Sequence, residues 1–183
     1  MLSEEQVPRK QGTEMTGDSR PALQAPSQHA MPDTLPDGAT WRLNVDGLVT
    51  RALTLSIDDL RALPRLGHQG SFTCERGWEP GRLRWQGASL AGLLALAGPL
   101  PAATALVAHD AGGFHSLVPL DAVPQALLAY EMDGQALTAE RGAPCRLVVL
   151  DPGCQLSMKW LERLELVQRL PDEPPGPRRP PKE

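Results

Sequence analysis

Hydrophobic and polar residues alternate along Trp41-Arg42-Leu43-Asn44-Val45, the period of a strand with one face in a core, and Asp46-Gly47 supplies a turn to end it. The pattern then changes. Ser56-Ile57-Asp58-Asp59-Leu60 sets a capping serine three residues ahead of an acidic one, and Pro64 closes the short helix this predicts. Gly70–Cys74 reads as the next strand. Ser89 caps a second helix through Leu90, Leu93, Leu94, Leu96 and Ala97, stopped by Gly98-Pro99. Thr104–His109 and Phe114–Leu120 read as two strands joined by the turn Asp110-Ala111-Gly112-Gly113. Leu127–Tyr130 is a short strand or extended segment running into the turn Glu131-Met132-Asp133-Gly134. Cys145–Leu150 reads as an apolar, β-branched run, as expected of an internal strand buried on both faces. Asp151-Pro152-Gly153 breaks that run, and Leu164–Gln168 is a final strand. Short strands that do not alternate regularly with two brief helices predict an α+β domain with mixed sheets, not a doubly wound one.

Composition trims the ends. Residues 1–40 hold five prolines, no aromatic residue and a net charge of -3, and residues 171–183 hold six prolines. Segments so poor in apolar surface cannot offset the entropy of ordering, so a disordered N-terminal extension and a Pro-rich tail are expected around one domain at 41–170. That domain carries twelve Lys/Arg against thirteen Asp/Glu, which leaves no basic excess for nucleic acid. No apolar run reaches membrane-spanning length, so no membrane span is expected. Residues 1–40 show neither an apolar signal segment nor a twin-arginine pair, so the expected location is cytoplasmic.

Cys74, Cys145 and Cys154 are irregularly spaced and give neither a disulfide framework nor a zinc motif. Cys74 still stands out. It lies in Phe72-Thr73-Cys74-Glu75-Arg76-Gly77-Trp78, at the end of the expected strand, with a glycine–tryptophan turn and Arg76, Arg82 and Arg84 close behind. An electropositive, partly open loop makes a thiolate a metal ligand or a nucleophile; the other reading is a small hydrophobe in the core. Lys159, beside Trp160, is either an anion partner or an ordinary surface lysine. His109 and His115 flank the glycine turn on neighbouring strands.

The chain resembles the sulfite oxidase-type molybdopterin-binding oxidoreductase domain family over nearly the whole of 41–170. The resemblance rests on Trp41–Gly47, Leu55–Pro64, Phe72–Trp78, Trp85–Leu94, Ser116–Asp121, Leu128–Gly134, Gly142–Val149 and Ser157–Leu161, in that order. It implies that family's α+β fold of mixed sheets with a few short helices, and a molybdenum-molybdopterin cofactor. Cys74 would then be the catalytic thiolate ligand to molybdenum, with Gly77 and Trp78 beside it; a soft thiolate suits that metal. The loop up to Trp160 would hold the pterin and its phosphate through Ser157, Met158 and Lys159, and His115 would approach the pterin from the glycine turn. The implied activity is two-electron redox or oxygen-atom transfer on a small-molecule substrate, with electrons leaving to an acceptor protein or a small acceptor.

The chain also departs from the family pattern. Leu156 stands where a basic residue is common, so Leu156→Arg is expected to add a phosphate partner. Cys154 stands where a glycine is common. Residues 1–40 carry no counterpart of the asparagine- and histidine-bearing segment that helps hold the pterin in longer members, and the arginine-rich anion pocket of sulfite oxidases is not reproduced. These departures keep open a second reading, a cofactor-free, non-catalytic binding or accessory module with the same fold.

Overall fold

Two mixed-length sheets share one core in the computed structural model, which describes residues 31–71, 82–150, 156–169 and 176–178. The first sheet begins with β1 (Leu43–Gly47) and β2 (Leu53–Leu55), an antiparallel pair. Leu43 and Val45 are fully buried while Asn44 is exposed, the alternation the sequence predicts. Ser56 caps α1 (Ile57–Ala62): its hydroxyl accepts the Asp59 N–H, and the Asp59 carboxylate accepts the Ser56 N–H, a reciprocal capping box. β3 (Arg65–Ser71) and β4 (Arg82–Ser89) form a hairpin whose last pair is Ser71 opposite Arg82. α2 (Leu90–Ala97) is capped by Ser89 and ends at Gly98 in the left-handed region, as the Gly98-Pro99 stop predicts.

β5 (Ala105–Asp110) and β6 (His115–Pro119) are joined across the glycine turn, and a 3-10 turn over Leu120–Gln125 leads to β7 (Ala126–Met132). β8 (Gln135–Ala136) folds back on β7, a second 3-10 turn covers Ala139–Arg141, and β9 (Arg146–Val149) is buried at every position. β10 (Leu161–Val167) starts three residues before the expected Leu164. β11 (Gly176–Arg178) pairs with β6, which corrects the expectation of a tail without structure from 171 onward. Pro177 has no N–H to donate, and an outermost strand is where a sheet tolerates that.

The first sheet runs β11-β6-β5-β10-β1-β2, antiparallel throughout except for the β10–β1 pair. The second runs β3-β4-β7, and β7 shares its other side between β8 and β9. The inward faces of both sheets and the buried faces of α1 and α2 meet in one cluster that includes Leu43, Leu60, Leu93, Leu106, Leu128, Leu147 and Leu164. The outer face of the second sheet carries a smaller cluster: Leu83, Trp85, Leu127, Ala129, Leu137 and Val148. Cys145 lies fully buried in the main core, and burial pushes its thiol pKa far up, so it stays a protonated core filler.

Gly87 shows how tightly β4 and β7 are joined. The register slips at Gln86/Gly87, and a Cβ at Gly87 would lie 2.0 Å from the Leu128 carbonyl oxygen. Backbone in a paired strand has no rotamer through which to yield. Gly87→Ala is expected to cost about 2–3 kcal/mol, read as a fall in the denaturation midpoint at unchanged slope.

Candidate cofactor site

The site is built on the side of β9 away from β7. There Leu147 and Met158 exchange both backbone hydrogen bonds, at 2.8 and 2.9 Å, and the Ser157 hydroxyl accepts the Val149 N–H at 3.0 Å. The Leu161 N–H then donates to Cys145 O at 3.0 Å. This register turns Leu156 and Met158 into the main core and leaves Lys159 beside Arg146.

Three cations gather here. The Arg146 guanidinium lies 4.8 Å from the centre of the Trp85 ring, and its Nη1 donates to Arg141 O at 3.1 Å. Lys159 Nζ is 5.3 Å from the centre of the Trp160 ring. Burial first, then the charges of Arg146 and Arg141, push the Lys159 pKa down to about 8, and Glu140 opposes them only weakly. A half-buried ammonium held among two guanidiniums is a place where an anion relieves repulsion and gains charge-assisted hydrogen bonds.

The backbone around Lys159 is fixed from both sides. Gly142, at φ 95°, closes the 3-10 turn that holds Arg141, and a Cβ there would meet Lys159 Cβ at 2.9 Å. Only glycine lets the lysine stem lie that close. Trp160 takes φ 50°, a left-handed conformation that costs a bulky residue about 1–3 kcal/mol. Its surroundings hold it there: the ring is buried, the indole N–H donates to Ala139 O at 2.7 Å, and its carbonyl accepts the Ala111 N–H at 2.9 Å.

Of the residues expected in the site, Cys74, Gly77 and Trp78 lie outside the described residues, as does Cys154. The segments that carry them are rooted close to the cations. β4 emerges from 72–81 at Arg82, three residues before Trp85, and the chain emerges from 151–155 at Leu156, three residues before Lys159. Lys159 lies half-buried near Arg146, Arg141 and Glu140. The Ser157 hydroxyl bonds the backbone of β9, and Met158 is fully buried with both backbone groups bonded to Leu147, so these two fix the position of Lys159.

His115 belongs to a different neighbourhood. On β6 it faces His109 with ring centres 5.9 Å apart. His109 Nε2 lies 3.1 Å from Glu165 Oε2, and Arg163 bridges Glu165 to Asp46. Next to this row, burial raises the pKa of Asp110 against the N–H groups of Phe114 and Gly112, and both bonds lock the glycine turn. Among the described residues no group of three or more His, Cys, Asp or Glu is placed to hold a metal ion.

Sequence reasoning missed Arg141, Arg146 and Trp85. Arg146 left a signal, because it interrupts the run read as apolar from Cys145 to Leu150. A charge inside a strand buried on both faces needs a partner, and such a residue is a candidate for function on that ground alone.

The family model of the oxidoreductase molybdopterin binding domain matches residues 29–174. The uncharacterized oxidoreductase YuiH of Bacillus subtilis is 32% identical over 134 residues, covering 72% of this chain and 68% of that protein. Mitochondrial sulfite oxidase of Homo sapiens is 31% identical over 74% of this chain, but the match spans only 30% of the human enzyme. Among solved structures, the sulfane dehydrogenase SoxCD of Paracoccus pantotrophus superposes with a TM-score of 0.64 at 25% identity, over 76% of this chain and 41% of that one. The described residues contain no helix long and apolar enough to cross a membrane.

Proposed function

The chain belongs to the oxidoreductase molybdopterin-binding domain family, and from that membership we propose that it is a molybdopterin-dependent oxidoreductase domain with Cys74 as the protein ligand to molybdenum. The observation that carries the reading is the cation group of Arg141, Arg146 and Lys159, whose donor chemistry fits the phosphate end of a pterin cofactor. Bound, the cofactor supplies two-electron redox chemistry, with oxygen-atom transfer to or from a small molecule as the leading form.

The chain's own residues then have distinct tasks. Lys159 and the two arginines neutralise and orient the phosphate. Gly142 and Trp160 hold the lysine stem in place, and the Trp85 ring backs Arg146 from the sheet. Cys74, in the stretch of sequence between β3 and β4, would supply the soft thiolate. Family resemblance would set Gly77 and Trp78 beside that thiolate, and His115, paired with His109 away from the cations, takes no part in holding the phosphate. The electron acceptor is a separate protein or small molecule, and the proposed location is cytoplasmic.

The test is cofactor content in the full chain purified from a host that makes molybdopterin. Wild-type protein is expected to carry molybdenum and pterin in equal amounts. Losing a charge-assisted hydrogen bond costs about 1.5–3 kcal/mol, so Lys159→Ala is expected to retain roughly ten- to hundredfold less pterin, read by fluorescence after oxidative release. Equal pterin in wild type and variant removes the phosphate role. No pterin in either favours the cofactor-free module.

A further inference from the structure

An open sheet edge presents N–H and C=O groups in a row to any strand that arrives, and folded proteins blunt such edges with charge, proline or brevity. Most edges here are blunted. Among the described residues β2 and β11 have three residues each, β11 also bears Pro177, β8 has two, and β9 is covered by its bridge to Met158. β3 is the exception. It runs seven residues, pairs only with β4 among the described residues, and leaves Leu66, Gly67 and Gln69 exposed. Its one formally charged side chain, Arg65, is turned along its own sheet onto Gln86 and Glu131.

We propose that β3 is a homodimer seam, in which two copies pair antiparallel about a two-fold axis at His68 and join two five-stranded sheets into one of ten strands. The sequence of the strand is self-complementary in that register. His68 is the middle of Arg65–Ser71, so the axis sets it opposite itself, Leu66 opposite the partner's Gly70, and Gln69 opposite the partner's Gly67. Each larger side chain meets a glycine, and the pair is isologous, as closed dimers require. His68 also faces Trp85 across β4, so the outer apolar cluster of one copy continues through the two histidines into the other. The two Ser71 ends of the seam then lie about 20 Å apart at the strand rise, each opposite the partner's Arg65.

Sedimentation of the full chain across a concentration series tests this. Wild type is expected to show a monomer–dimer equilibrium. His68→Lys and His68→Glu each set like charges face to face at the axis and are expected to weaken dimerisation at least about tenfold while melting as the wild-type monomer does. Mixing the two variants pairs opposite charges, and a heterodimer is expected to reappear. A wild type that stays monomeric at its highest soluble concentration overturns the proposal. So does a dimer indifferent to charge at His68, which would mean that the copies meet elsewhere, or a mixture that fails to reassociate.

Discussion

Cys74→Ser is expected to fold as the wild type does and to lose more than about a hundredfold in turnover. Removing a group that merely orients a metal ligand already costs about 10–100-fold, and this change removes the ligand. A serine hydroxyl is nearly the same size as the thiol, so thermal melting should move little, but it is a hard, poorly ionised donor where a soft thiolate is wanted. Turnover with an artificial electron acceptor, beside molybdenum content, separates a lost ligand from a lost fold. Unchanged turnover at unchanged metal content would end the assignment.

The second large effect reverses a reading of the sequence. Leu156→Arg, expected from the family pattern to add a phosphate partner, is instead expected to unfold the domain or to cost more than about 4 kcal/mol. Leu156 is only 5% exposed and packs in the main core, where a guanidinium would find neither solvent nor anion. Leu156→Met, similar in volume and apolar, should cost less than about 1.5 kcal/mol. Chemical denaturation of the pair distinguishes a core position from a ligand position. If the arginine variant holds wild-type stability, the side chain has turned out toward the cations and the earlier expectation returns.

What could be read from sequence was what local chemistry dictates. Ser56 with Asp59, Ser89 and Gly98 set helix ends within a few residues, and Asp110–Gly113 made a hairpin, because caps and turns depend on near neighbours. β3 was harder. Gly67 and Gly70 dilute its alternation, so the expected strand began at Gly70 where β3 begins at Arg65. β4 was not foreseen as a strand at all, since Arg82-Leu83-Arg84-Trp85 reads equally well as a charged loop. The cation group defeats sequence reading for another reason. Arg141, Arg146 and Lys159 have no motif spacing, and they meet because Leu147 bridges Met158 and the turn closed by Gly142 lies against Lys159. Leu156 shows the same limit from the other side: a family pattern names a position, but the bridge to β9 decides which way its side chain points.

The parallel pairing of β1 with β10 has a consequence for how the protein is made. β1, near the start of the domain, is bound along its length by β10, which lies more than a hundred residues later and also holds β5 on its other side. Until β10 has left the ribosome, the β1–β2 and β5–β6 hairpins have no common sheet, and their apolar faces wait uncovered. Closing so long a loop is slow, because its entropy is lost before the contacts that offset it form. The domain therefore waits as separate hairpins until β10 is made, and it condenses when that strand slides between the two halves of the first sheet.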